Sequence, residues 1–281
     1  MVDHGSGRRT LAVFSKLADR KSSLGYADFA SLVGPLQDIV WGSDFVQNAI
    51  NREIAKISED PLYANPYWEA GSITLASNKA WSLRVGYYAR ESEYIYTCPC
   101  HMVVLALNGG SFDVDHYAVE QSVNFEVFEP GVRIGKRATH TYAFGNAMCV
   151  DSARDIIDLH PKGLVPVVKL TSVINQKLQW AFDRNTLSSY QAISANPDAS
   201  DLVAMAKTLM AMGSSHSAEA LAALYQHESH FVRWASIQAM SQVAPEQAVE
   251  LLSHAVDGDR HPHVRAASSR VLARLQGGAS C

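Results

Sequence analysis

The sequence predicts an α+β multidomain protein with N-terminal helices, an antiparallel β-barrel or sandwich, and C-terminal α-helical repeats. Three observations lead there. From Ile73 the apolar period changes from the helical one to strict alternation. Residues 123–159 are broken into short alternating stretches by Pro130-Gly131 and Gly145-Asn146, both turn pairs. Beyond Asn196 the strand signal stops and a helix opening recurs, first as Phe231-Val232-Arg233 and then as His263-Val264-Arg265. The expected divisions are residues 1–66 for a tail and helices packed on the barrel, 67–196 for the β domain and 197–281 for the repeats.

The 281 residues suffice for one large or two modest domains with real cores. A net charge of −4 favours neither broad attraction to nucleic acid nor binding to anionic lipid. No apolar run approaches a membrane span, and the first residues lack the apolar segment of a secretory signal. Four cysteines, two of them flanking Pro99 too closely for an easy bridge, indicate reduced thiols and a cytoplasmic protein.

Taken in order, residues 1–9 are small, polar and basic and read as a disordered tail. Helical spacing over 11–33 is interrupted at Gly25, and Pro35 suits the first turn of a further helix. Ser43 is the expected N-cap of a helix whose stripe is Phe45, Val46, Ile50, Ile54 and Ile57, ended by Asp60-Pro61. That helix covers the barrel or forms a dimer contact. Trp81, Leu83, Val85 and Tyr87 alternate with polar or small residues, as a half-buried strand requires. Residues 94–107 continue the strands, with Pro99 at an edge or bulge, and Asn108-Gly109-Gly110 reads as a hairpin turn. Further strands are expected at 112–119, 123–128, 164–173 and 178–182, with Asp183-Arg184-Asn185 as a turn and His160 in another. With no crossover helices between them, these strands indicate a sandwich or barrel.

Asn196-Pro197-Asp198-Ala199-Ser200 is the linker to the repeats. Val232-Arg233 and Val264-Arg265 lie thirty-two residues apart, each after a polar turn and before an alanine-rich helix. Pro245 opens a helix between them, and a weaker copy lies upstream. Helix pairs that bury their faces only by stacking make a solenoid. His227, His230, His261 and His263 sit in its turns and read as repeat punctuation rather than as ligands.

The candidate chemistry lies in the β domain. His140, Tyr142 and Phe144 share one strand face, where an imidazole can ligate a metal or move a proton and a phenol can donate to a developing anion. His116 follows Asp113 and Asp115, which could orient it. Alternation puts Cys98, Cys100 and Met102 on one face and His101 with Val103 on the other. If the first set faces inward, Cys98 and Cys100 with His140 suit a soft or borderline metal. If the second does, His101 with His140, joined by His116 or His160, suits iron, copper or zinc. The third alternative makes the cysteines small buried hydrophobes.

Residues 73–193 resemble a cupin. Pro130-Gly131, the later His140 and Gly145-Asn146 are similar to that family's second motif. Its first motif is degenerate here, with Cys98 and Cys100 at the spacing of two histidines and Met102 near the glutamate position. The resemblance implies a divalent metal inside the barrel, iron first and copper or zinc next, with an ion-free barrel as the equal alternative. It further implies a metal-dependent enzyme of oxygenase (dioxygenase) or tailoring type acting on an amino-acid-like or carboxylate small-molecule substrate. In that enzyme Arg84, Arg133 and Arg137 would fix the carboxylate if they face inward, the alternative being surface arginines, and the protein is expected to be a homodimer. The repeats resemble HEAT repeats, in which such arginines bond to the turn of their own or a neighbouring repeat, and they imply a protein partner. The alternative function is a non-catalytic ligand-sensing or protein–protein interaction module built from barrel and repeats.

Overall fold

The N-terminal fifth is helical because its apolar residues recur at helical spacing and have a sheet face to cover. The structure, a computed structural model, describes residues 4–21, 25–63, 68–69, 71–107 and 109–278. Helices α1 (His4–Lys21), α2 (Tyr26–Ala30), α3 (Val33–Val40) and α4 (Phe45–Glu59) precede the strands. Residues 4–9, expected to be part of a tail, instead belong to α1, which carries Phe14 and Ala18 into the core; residues 1–3 lie outside the described residues. Ser43 is not the cap of α4. Asp44 holds that position, while Ser43 Oγ accepts from the Phe45 N–H at 3.3 Å. The predicted stripe is half buried: Phe45 and Val46 are in the core, whereas Ile54 and Ile57 are 55% and 37% exposed.

The strands are β1 (Trp68–Glu69), β2 (Ser72–Ser77), β3 (Trp81–Tyr88), β4 (Ile95–Thr97), β5 (Cys100–Ala106), β6 (Ser111–Val119), β7 (Ile134–Ala143), β8 (Ala147–Val150), β9 (Ile156–Pro161), β10 (Val165–Ile174), β11 (Leu178–Phe182) and β12 (Ser189–Ser194). They form two six-stranded antiparallel sheets, ordered β1-β2-β3-β10-β5-β8 and β12-β11-β4-β9-β6-β7. The architecture is therefore a sandwich rather than a closed barrel. Alternation divides the first sheet cleanly. Trp81, Leu83, Val85, Val103, Leu105, Val168 and Leu170 pack against Phe29, Leu32, Leu36 and Ile39 of the helices. Residues of the opposite parity, among them Val104, Ala106 and Val167, join Phe112, Val114, Met148 and Val150 in the core between the sheets.

Three local expectations are corrected. The glycine turn after β5 makes no hairpin, because β5 and β6 lie in different sheets, and Gly145-Asn146 likewise carries the chain from β7 to β8 across the sandwich. Residues 123–128 alternate in sequence but form no strand. The Asn124 side chain accepts from the Glu126 N–H at 3.0 Å, and its carbonyl accepts from the Val127 N–H at 2.9 Å. A self-bonded turn of this kind competes directly with a ladder. His160 lies within β9 rather than in a turn, paired opposite Asp113.

By contact the chain divides into two units: residues 1–123 with 129–191, and Asn124–Phe128 with Ala192–Cys281. The second unit contains α5 (Pro197–Met212), α6 (Ala218–Leu224), α7 (His230–Val243), α8 (Pro245–Gly258) and α9 (Pro262–Gly278). Asn196 caps α5, its side chain accepting from the Asp198 N–H at 3.0 Å with Pro197 at the first helical position. The core of this unit runs through Ala206, Leu221, Ala235, Ala239, Met240 and Ala248, then Ile237, Leu252, Ala255 and Val264. Small residues dominate it because the helices stack closely. Arg233 spans two successive turns, donating to the carbonyls of His227 and Glu228 at 2.9 and 2.8 Å and making a fork with Asp259 at 2.7 and 2.8 Å. Arg265 bonds the Asp259 carbonyl at 2.6 Å. Among the described residues no helix is long and apolar enough to cross a membrane.

Candidate functional site

In the β unit, β6 and β7 bring His116 and His140 together, with ring centroids 5.3 Å apart and planes at 72°. His140 pairs opposite Val114, so its side chain projects from the same face of the sheet as Val114, at the exposed edge strand of the sandwich. Tyr142, one alternation further along, stacks on Phe112 at 5.8 Å. Burial lowers the proton affinity of His116, reinforced by neighbouring His140 and opposed by Asp155 and Asp115. Burial also pushes the Tyr142 hydroxyl up. These side chains do not enclose a chamber. His140 is exposed, and the space behind it is occupied by Phe112, Val114, Met148 and Val150, each fully buried. In front, His140 and Tyr142 border an open hollow of about 490 Å³ that also meets Gln37, Asn146 and Cys149.

The segment around residue 100 does not supply the second donor that the expected centre needs. Cys98 lies in the core between the sheets beside Tyr88 and Met102, with Cys100 following on β5. Burial raises both thiols above their ordinary pKa, Cys98 strongly, which keeps them in the protonated form that binds metal poorly. His101 points the other way. It is 8% exposed, and its ring lies 5.6 Å from Tyr26 and 5.9 Å from Phe29 of α2. Its Nδ1 accepts from the Ser152 N–H at 3.2 Å and lies 3.4 Å from Asp151. His101 therefore sits on the helix-covered face of its sheet, with the core between it and the His116–His140 pair. Arg84 is half buried, its Nε donating to Ser82 Oγ at 3.1 Å. Arg133 is exposed on the connection before β7, bridged to Ser188 through the backbone.

The helical unit contains what the turn histidines did not announce. His230 opens α7 and His263 stands in the first turn of α9. His261 lies on the intervening turn, with its ring stacked on His230 at 3.6 Å and 6° from parallel. The His261–His263 centroid distance is 5.4 Å. Each of the three offers a ring nitrogen within 4.8 Å of the others. Among the described residues this is the one cluster of three or more potential metal ligands. His261 Nδ1 accepts from the His263 N–H at 3.3 Å, which makes the ring the Nε2–H tautomer, donating to the Glu126 carbonyl at 3.1 Å. Burial lowers its proton affinity, and the Glu126 carbonyl partly restores it. The three rings came together because the repeat period stacks successive turns. That periodicity was the available signal.

A pocket of about 420 Å³ adjoins the cluster. Phe128, Phe231, Trp234 and Val264 give it an apolar wall, and His230 and His263 also line it. Lys207, Gln238 and Arg270, all exposed, form its polar rim. The buried ion pair of this unit is Arg233–Asp259, in which neither rim cation takes part.

A family model described as HEAT repeats matches residues 190–273, and the helical unit carries such repeats. No curated protein matches the sequence. Among solved structures, the chain is similar to hydroquinone 1,2-dioxygenase PnpCD in complex with Cd2+ and 4-hydroxybenzonitrile, at 10% identity over 41% of this chain and 70% of that one, with TM-score 0.28. It is also similar to hydroquinone 1,2-dioxygenase from Sphingomonas sp. TTNP3 with 4-hydroxybenzoate bound, at 13% identity over 39% and 67%, with TM-score 0.27. A third is a cupin superfamily protein from Desulfitobacterium hafniense DCB-2, at 12% identity over 36% and 75%, with TM-score 0.24.

Proposed function

We propose that this chain is a non-catalytic binding module whose helical unit receives an acidic protein segment bearing an aromatic side chain. The observation that carries this reading is the pocket of about 420 Å³, which joins an aromatic wall to a rim with two cations. Trp234 and Phe231 offer the flat apolar area that anchors an aromatic residue. Lys207 and Arg270 stand where carboxylates of the same segment would pair with them, and a rim position favours selectivity and encounter rate over raw affinity.

Calorimetric titration tests this with capped synthetic peptides: glutamates flanking a phenylalanine, the same peptide with lysines for glutamates, and a third with alanine for phenylalanine. Saturable binding of the first peptide alone is expected, lost in a Lys207→Glu/Arg270→Glu variant that folds normally because both sites are exposed. Binding of all three peptides alike, or of none, refutes the reading.

A second reading keeps chemistry in the β unit, as a metal-dependent small-molecule enzyme. The observation in its favour is the ring contact of His116 with His140 beside Tyr142. Two imidazoles at an open surface make a weaker centre than three donors in an enclosed one. Stoichiometric iron, copper or zinc lost from a His116→Gln/His140→Gln variant would restore this reading, and unchanged metal content would remove it.

A further inference from the structure

We infer that His230, His261 and His263 form a divalent-metal site, suited to zinc, beside the pocket of the helical unit. The inference is independent of the peptide reading, because the ion is titrated with no peptide present. Three imidazoles from two successive repeat turns converge with their ring nitrogens within 4.8 Å of one another. Imidazole nitrogens are borderline donors that zinc, copper and nickel accept and that magnesium and calcium do not favour. The rings must be neutral to ligate, so binding releases protons and weakens as pH falls.

The present ring arrangement defines what must change on binding. Zinc takes imidazole nitrogen at about 2.0–2.1 Å, so the donors have to draw closer than they stand. The nitrogen lone pairs of His230 and His261 lie in nearly parallel planes, 6° apart, and do not yet point at one centre. Rotation of the His261 ring gives the convergence at the loss of its two ring hydrogen bonds, to the Glu126 carbonyl at 3.1 Å and from the His263 N–H at 3.3 Å. The start of α7 and of α9 places positive helix ends near the ion, a modest opposing effect. Asp259, whose carboxylate accepts from the His261 backbone N–H at 2.7 Å, is paired with Arg233 and leaves that effect in place. Three protein donors leave one position of a tetrahedral zinc open, for a water or for a carboxylate of whatever occupies the pocket.

The test uses the full-length, untagged protein stripped with chelator and titrated with zinc against a chromophoric competitor. One equivalent per chain is expected. His263→Gln and His261→Gln, both only partly buried positions, should each weaken binding at least tenfold, while His116→Gln/His140→Gln leaves it unchanged. Cobalt bound to the unaltered protein supplies a measurement that needs no variant to fold. Visible d–d absorption of a tetrahedral nitrogen-ligated ion, without thiolate charge-transfer absorption, is the expected spectrum. Sub-stoichiometric zinc binding, unchanged affinity in the triad variants, loss in the His116/His140 variant, or a thiolate band would each overturn the inference.

Discussion

Replacing Arg233 by alanine should destabilise the helical unit far more than any surface change of equal size. The Arg233 and Asp259 side chains are 5% and 1% exposed, so the pair is out of water. Asp259 accepts three hydrogen bonds: two from the Arg233 guanidinium, at 2.7 and 2.8 Å, and one from the His261 N–H at 2.7 Å. The alanine variant leaves that carboxylate buried with one donor in place of three. It also strips the charged donor from the Glu228 carbonyl and leaves the His227 carbonyl with Arg260 alone, at 3.2 Å. Removing one partner of a buried pair costs about 3–5 kcal/mol. With a urea dependence of about 1–3 kcal/mol per molar for a unit of this size, the midpoint should fall by roughly 2 M. Far-ultraviolet circular dichroism through a urea titration reports the helices, and hydrogen exchange assigns the transition to residues 197–278 where the two units melt separately. Arg233→Lys keeps the charge without the planar fork and should lie between the native protein and the alanine variant. Arg233→Met combined with Asp259→Leu removes both charges and should recover most of the loss. A cost below about 1 kcal/mol for Arg233→Ala, or a double variant no better than the single one, would refute the claim that this pair locks the repeats together.

Acid should expose the same pair. Burial raises the Asp259 carboxyl, and its bonds from Arg233 and His261 outweigh that, leaving it below the ordinary 3.8. Its stabilising contribution is thus present above 3.8 and lost as pH falls through the lower folded value, an effect that Asp259→Asn should remove from the urea midpoint measured against pH. His101 behaves in the opposite range. Burial depresses it below 6.5 against the pull of Asp151, so the unfolded chain takes up the proton first and stability falls as pH drops below about 6.5. His101→Gln should flatten that acid limb between pH 7.5 and 5.5, and an unchanged slope would assign the limb to other groups. Phe112→Ala opens a void between the sheets and should cost about 3–5 kcal/mol; a thermal melt showing less than about 1 kcal/mol would mean that the sandwich interior is not filled as described. Asn196→Ala removes the α5 cap and should cost about 1 kcal/mol, read from exchange of the first α5 amides.

Local order was legible in the sequence wherever a single period governed it. Alternation over Trp81, Leu83, Val85 and Tyr87 located β3, and the same parity identified Val103 as helix-facing and Cys98 as core-facing once the inward side was known. The repeated Val-Arg pair located α7 and α9 and the role of Arg233. What periodicity could not carry was partner choice. Gly109 and Gly145, with φ of 79° and 98°, mark reversals, but a reversal does not say whether the next strand joins the same sheet or the opposite one. Residues 123–128 alternated like a strand, and only the competing Asn124 bonds decided otherwise. The candidate site suffered most, because convergence of side chains is a property of tertiary geometry. His101 and His140 belong to different faces, whereas His230 and His263, dismissed as punctuation, were made neighbours by the repeat spacing itself.

The five residues Asn124–Phe128 belong with the helices although they lie between β6 and β7 in the chain. A gene fragment beginning at the linker would therefore encode an array lacking part of its own wall: no Phe128 in the pocket and no Glu126 carbonyl for His261. Excision at the obvious seam gives an incomplete object, and the interleaved loop makes the whole chain the smallest unit in which the ligand chemistry of the repeats can be fairly assayed.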